Sequence, residues 1–158
     1  MVILGVDPSF TATGYAVIKK ELGKQFLISC GFIPLPSNKK MEERIGIFYD
    51  YFKKIIEQHK VTHLALETPF LGKNAQTFLK LGYLRGCLHL LAYQHTLYVL
   101  EYSPKEIKLA VTGFGAAAKD QVQRVVHMLF PGLSYQKTFD VTDAIAISLC
   151  GAWQQNII

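Results

Sequence analysis

Apolar positions switch between two periodicities along the chain, and the switches predict the order of its elements. Val2 to Val6 is a short, mostly apolar run that ends in Asp7. Pro8, Ser9, a threonine-rich stretch and Gly14 follow, and Tyr15 to Ile18 again has strand composition, so the opening reads as strand, turn and antiparallel strand. Phe26 to Leu35 predicts a third strand, closed by Pro34 and Pro36, after which Ser37 or Asn38 is expected to cap a helix. In that helix Met41, Ile45, Phe48, Phe52, Ile55 and Ile56 recur at helical steps with Lys and Glu between them. Val61 to Leu66 has the composition of a buried strand and also ends in an acid, Glu67. From Asn74 to about Tyr93 the positions Phe78, Leu81, Leu84, Leu88 and Leu91 fit a second helix. Gly82 and Gly86 weaken its intrinsic helicity, so they imply a close neighbour: either the sheet or a second copy of the chain. Leu97 to Glu101 predicts a fifth strand, and Ser103-Pro104 is a cap and first-turn pair for a short helix to about Val111. A loop over Gly113 to Ala118, a further helix, a turn at Pro131-Gly132 and a last helix from near Asp140 to near Trp153 complete the pattern. Strands followed by strand–helix alternation describe one α/β domain over residues 1–158 with a mixed sheet.

Composition narrows the class. Half of the 158 residues are hydrophobic and 18% are charged, enough apolar content for a core and unlike a disordered or low-complexity chain. Cys30, Cys87 and Cys150 are far apart, odd in number and without a CxxC spacing, which suggests neither a disulfide framework nor a zinc site and fits a reducing, cytoplasmic setting. The N-terminal run lacks a basic start and meets Asp7. The apolar window from Cys87 to Leu100 is broken by His89, Gln94 and His95, so no signal peptide or membrane span is expected. The net charge of +5 is unevenly spread. Residues 68–139 carry eight basic side chains against three acidic ones, whereas 140–158 carry only Asp140 and Asp143. A basic middle favours a polyanionic partner, nucleic acid first.

The candidate chemistry lies in four carboxylates. Asp7 and Glu67 each end an apolar strand, where an ionised carboxylate is costly unless a cation or donor compensates it. Asp140 and Asp143 stand three apart at the start of an apolar helix and so share one face. Taken singly, Asp7 can be a turn residue before Pro8, Asp140 a helix cap and Asp143 a dipole partner. Converging, they would repel one another unless they bind hard cations such as Mg²⁺ or Mn²⁺. Two such ions about 3.5–4 Å apart can clamp the attacking and leaving oxygens of a phosphodiester. No dinucleotide site is expected at Gly113-Phe114-Gly115, which lacks the third glycine, and the five histidines are expected in core or surface roles rather than in catalysis.

Ordered motifs then carry a resemblance. Ile3-Leu4-Gly5-Val6-Asp7-Pro8 with Thr13-Gly14-Tyr15, Glu67-Thr68-Pro69-Phe70, Lys73-Asn74-Ala75, Leu79-Lys80-Leu81-Gly82 with Arg85-Gly86, Lys108, Gly113-Phe114-Gly115, Ala117, Lys119, Gln121-Val122 and Asp140-Val141-Thr142-Asp143-Ala144 follow one another. From end to end the chain resembles the RuvC-type Holliday junction resolvases. The resemblance implies a ribonuclease H-like fold, a five-stranded mixed sheet with helices on both faces. It implies a homodimer that nicks two like strands of a four-way DNA junction with Mg²⁺, two ions per site, Mn²⁺ serving as a substitute. A RuvA–RuvB branch-migration complex is the further partner expected. Asp7, Glu67, Asp140 and Asp143 match the family's metal-binding carboxylates, and Lys108 and Lys119 its lysines near the cleaved strand. Phe70 matches an aromatic at the junction centre, where an apolar side chain can wedge or stack. Lys73, Lys80 and Arg85 are further expected DNA contacts, and Gly82 and Gly86 an expected dimer seam. Ser9 stands where the family usually has Gly, and Pro69 departs from its pattern. Other nucleases of the same fold, acting on RNA or RNA:DNA hybrids, and a non-catalytic binder of branched nucleic acid are the alternatives.

Overall fold

The computed structural model describes residues 1–69, 74–133 and 139–154. Five strands form one sheet in the order β3-β2-β1-β4-β5. β1 (Val2–Asp7), β2 (Ala12–Glu21) and β3 (Lys24–Pro34) form an antiparallel meander, and β4 (His63–Glu67) and β5 (Tyr98–Tyr102) continue parallel to β1. The sheet is mixed, as expected. β2 is longer than its apolar stretch because Lys19, Lys20 and Glu21 complete the ladder to β3 as far as Lys24.

The period-two alternation of the strands divides two cores. Leu4, Val6, Leu64 and Leu66 face α1 (Met41–His59) and α2 (Ala75–Gln94), around the fully buried Phe48 and Phe52, whose rings lie 4.7 Å apart. Ile3, Ala16, Ile18 and Ala65 face the other way, against α3 (Pro104–Thr112), α4 (Lys119–Leu129) and α5 (Phe139–Gln154). Helices therefore cover both faces.

Two local starts illustrate how the caps are chosen. α3 begins as its sequence predicts: Ser103 Oγ accepts from the Glu106 amide at 3.3 Å, while the Glu106 carboxylate accepts from the Ser103 amide at 2.7 Å. α1 begins later than expected. The Lys39 amide bonds the Pro36 carbonyl at 3.2 Å, so Ser37 and Asn38 are spent in a turn, and Glu43 caps the helix by accepting from the Lys40 amide at 3.0 Å.

α5 is the element that sets up the site. From Val141 to Ala152 every residue is buried except Asp143. The helix lies so close to the sheet that a Cβ on Gly5 would fall 2.2 Å from Ser148 Oγ and 2.6 Å from the Ala144 carbonyl. A Cβ on Gly14 would fall 2.0 Å from the carbonyl oxygen of Asp140. Ser148 Oγ secures the contact, within reach of both the Ala16 carbonyl at 3.1 Å and the Ala144 carbonyl at 2.9 Å.

Gly14→Ala is expected to push the first turn of α5 off β2, costing at least the ~1–3 kcal/mol of an overpacked core site because the obstacle is backbone. Urea unfolding checks it: a midpoint equal to the wild type's would contradict the close approach.

Candidate active site

Asp7 and Glu67 close adjacent parallel strands, and the last rung between these strands is Val6 to Leu66. Alternation places Asp7 with Ile3 and Gly5, and Glu67 with Ala65, on the face that α5 covers. Asp7 pairs across the ladder with Gly14, the residue whose missing side chain admits the Asp140 backbone. The same contact that seats α5 thus brings Asp140 to Asp7, and Asp143 follows in the next turn.

Asp7, Glu67 and Asp143 line one cavity of about 220 Å³, together with Lys108 and Lys119. Pro104, Ile107, Val122, Ala146 and Ile147 form its apolar walls. Asp140, half-buried, is not among the lining residues, but its charge acts on Asp7. Burial pushes the Asp7 carboxyl up to about 7, and Asp143, Glu67 and Asp140 push in the same direction while Lys119 opposes them. Burial and then Asp143 also raise Glu67, against Lys119, Lys108 and Arg85. Lys119 Nζ lies 2.9 Å from Asp143 Oδ2, and this hydrogen bond raises the lysine above its usual range. Among the described residues no three Asp, Glu, His or Cys side chains are gathered tightly enough to enclose an ion. The carboxylates instead share an open cleft, with an ammonium already drawn to them. Hard oxygen donors with excess negative charge fit a divalent cation of the Mg²⁺ type.

A larger depression of about 780 Å³ lies elsewhere, between β3 and the end of α4, but its described lining carries no carboxylate and no basic side chain. The chemistry belongs to the smaller cleft.

The remaining expected residues divide. Phe70 and Lys73 lie outside the described residues. Lys80 is exposed on α2 and lines neither cavity that Asp7 and Glu67 share. Gly82 and Gly86 do not pack onto the sheet: among the described residues nothing lies within 4 Å of a Cβ on either. Both line a second cavity that continues from Asp7 and Glu67 along α2. Arg85, expected as a DNA contact, lines that second cavity and is engaged within the fold, donating to the Glu67 carbonyl at 2.6 Å and pairing with Glu101. Ser9 needs no glycine-like backbone, since its φ is not positive; its amide and carbonyl both bond Thr13 Oγ1, at 3.0 and 2.7 Å. Two side chains with structural roles were not singled out in the sequence. Glu101 is the penultimate residue of β5, a third parallel strand, and its partner Arg85 comes from another element. Arg44, which donates to the Phe10 carbonyl at 2.7 Å and lies 4.8 Å from that ring, gives no local signal.

The profile of the family described as "Crossover junction endodeoxyribonuclease RuvC" matches residues 3–151. The chain belongs to the RuvC family. A RuvC of Chlorobium phaeobacteroides is 43% identical over 150 residues, covering 95% of this chain and 80% of that protein. One of Halothermothrix orenii is 40% identical over 95% of this chain and 91% of its own length. Among solved structures, Thermus thermophilus RuvC in complex with a Holliday junction substrate superimposes with a TM-score of 0.91 at 25% identity, covering 99% of this chain and 96% of that one. The fowlpox virus resolvase shares the fold, at a TM-score of 0.66 and 14% identity. The sheet order and the helices on both faces are those of the ribonuclease H-like RuvC fold.

The raised Asp7 carboxyl has a measurable sign. Between its ordinary 3.8 and about 7 the folded RuvC chain keeps a proton that the unfolded chain has lost, so stability falls as pH rises through that window. In cation-free buffer Asp7→Asn is expected to be more stable at pH 8 by about 2 kcal/mol after allowance for solvent screening, roughly 4–8 °C in Tm. The advantage disappears by pH 4. Equal melting temperatures at pH 8 would contradict the repulsion.

Proposed function

We infer that this RuvC-family protein is a structure-specific endonuclease that resolves four-way DNA junctions, leaving paired, symmetric nicks on two like strands in recombination and repair. The observation that carries the reading is the cleft in which Asp7, Glu67 and Asp143 lie beside Lys108 and Lys119. A protein that merely binds phosphates gains nothing from carboxylates placed against them. The likeness to RuvC proteins over 95% of the chain supports the choice of substrate.

Asp7, Glu67 and Asp143, with Asp140 beside them, would hold two Mg²⁺ ions, Mn²⁺ serving as a substitute. When bound, such ions activate a water for in-line attack and offset the charge that develops on the leaving 3′ oxygen. The chain supplies the rest. Lys108 and Lys119, on the rim of the cleft, attract the scissile strand's phosphates, and the apolar wall of Ile107, Val122 and Ile147 limits the water around them. Lys119 pairs with Asp143 and would be free to hold a phosphate if a cation took that carboxylate. Phe70, just past Glu67, is suited to stack at the junction centre, with Lys73 and Lys80 as neighbouring phosphate contacts.

The outer surface offers a place for one expected partner. α2 buries Leu84, Leu88 and Leu91 on one side and exposes Leu79, Tyr83, Leu90 and Tyr93 on others, with Gly82 and Gly86 open between them. A second copy seated there would give a two-fold homodimer with two equivalent clefts for a two-fold substrate. A RuvA–RuvB branch-migration complex would deliver the junction. The three cysteines form no disulfide, which suits the cytoplasm, and among the described residues no helix is long and apolar enough to cross a membrane.

The test is a cleavage panel in Mg²⁺: a four-way junction, a linear duplex and an RNA:DNA hybrid, each with wild type and Asp7→Asn. Paired nicks on the junction alone are expected, abolished in Asp7→Asn while junction binding is retained. Lys119→Ala is expected to slow cutting and lower the salt slope of binding by about one. Preferential cutting of the hybrid or duplex would overturn the junction reading.

A further inference from the structure

We propose that Arg85 and Glu101 are a positioning pair that locks the end of β4 and thereby aims the Glu67 carboxylate into the cleft. The proposal rests on the nuclease reading of that cleft. Glu67 stands one residue past the last rung that β4 shares with β1, where the ladder no longer holds its peptide on that side. On the other side β5 still holds it, through the Thr68 amide bonded to the Tyr102 carbonyl at 2.8 Å. Arg85 supplies the missing partner: its Nη1 donates to the Glu67 carbonyl at 2.6 Å. Its Nη2 forms a short ion pair with Glu101 Oε1, and Glu101 is the β5 residue in register with Leu66. One guanidinium therefore ties α2, β4 and β5 together at the residue that presents the carboxylate.

Accessibility separates this role from phosphate binding. The Arg85 side chain is only 13% exposed, whereas Lys119 on the cleft rim is 69% exposed. The fork geometry matters as well. A guanidinium reaches two acceptors in different directions from one plane, which a lysine ammonium on a flexible stem does not reproduce. Glu101 in turn holds the arginine in its bridging rotamer and offsets part of its charge.

Arg85→Lys and Glu101→Gln test the pair, with junction affinity measured in Ca²⁺ and single-turnover cleavage in saturating Mg²⁺. Both variants are expected to cleave roughly 10- to 100-fold more slowly at saturation, as a misplaced catalytic group does. Half-maximal cleavage is expected to require more Mg²⁺, while junction affinity and its salt slope stay at wild-type values. Glu101→Gln keeps the shape of the side chain, and a wild-type rate in that variant would overturn the pair even if an Arg85 variant fails to fold. Weaker junction binding by Arg85→Lys, with a salt slope lower by about one, would overturn it in favour of a phosphate contact. If the wild type itself fails to nick the junction, the resolvase reading falls first and this role with it.

Discussion

α5 rests directly on the sheet because nothing projects from Gly5 or Gly14 to keep it away. That close approach decides where Asp140 and Asp143 stand relative to Asp7. Gly14 is the ladder partner of Asp7, so the absent side chain and the carboxylate share one rung. The helix is held there by burial on nearly every side. Ile145, Ile147 and Leu149 are almost wholly enclosed, and full burial of such a side chain contributes about 1.5–3 kcal/mol. Asp143 interrupts this surface as the single residue between Val141 and Ala152 that is not buried.

The apolar docking forces together groups that repel. Three carboxylates open on one cleft and a fourth is close enough to act on Asp7, whose proton affinity rises accordingly. The fold tolerates the repulsion because the helix gains more from its apolar face than the acids cost. Lys119 offsets part of it through Asp143, and Arg85, paired with Glu101, bonds the Glu67 carbonyl from the α2 side. A site under this tension has a free-energy reason to take up cations, since each bound cation relieves repulsion as well as gaining ligands. Metal binding and chain folding therefore pull in the same direction.

Much of this was legible in the sequence because its signals are local. An apolar run that stops at an acid is visible without knowing its neighbours, and Asp7 and Glu67 are placed correctly on that basis. The spacing of Asp140 and Asp143 likewise needs only helical geometry. What escaped depends on contacts between distant segments. Gly14 gives no hint of its role until its register with Asp7 and the path of α5 are known. Arg85 has the composition of a nucleic-acid contact, yet a carboxylate and a carbonyl from two other elements occupy its guanidinium. Ser37 and Asn38 are good caps by type, but Pro36 claims them for a turn. Gly82 and Gly86 were assigned evenly to the sheet and to a second copy; among the described residues neither packs on the sheet, and both line the cavity beside Asp7 and Glu67.

The most direct test of a metal-dependent site built by the docking of α5 is diffraction from crystals grown with Mn²⁺, using its anomalous signal. Peaks about 3.5–4 Å apart between the Asp7, Glu67 and Asp143 carboxylates are expected, with Lys119 displaced from Asp143. Manganese bound elsewhere, with the cleft still closed by the Lys119 ion pair, would contradict it.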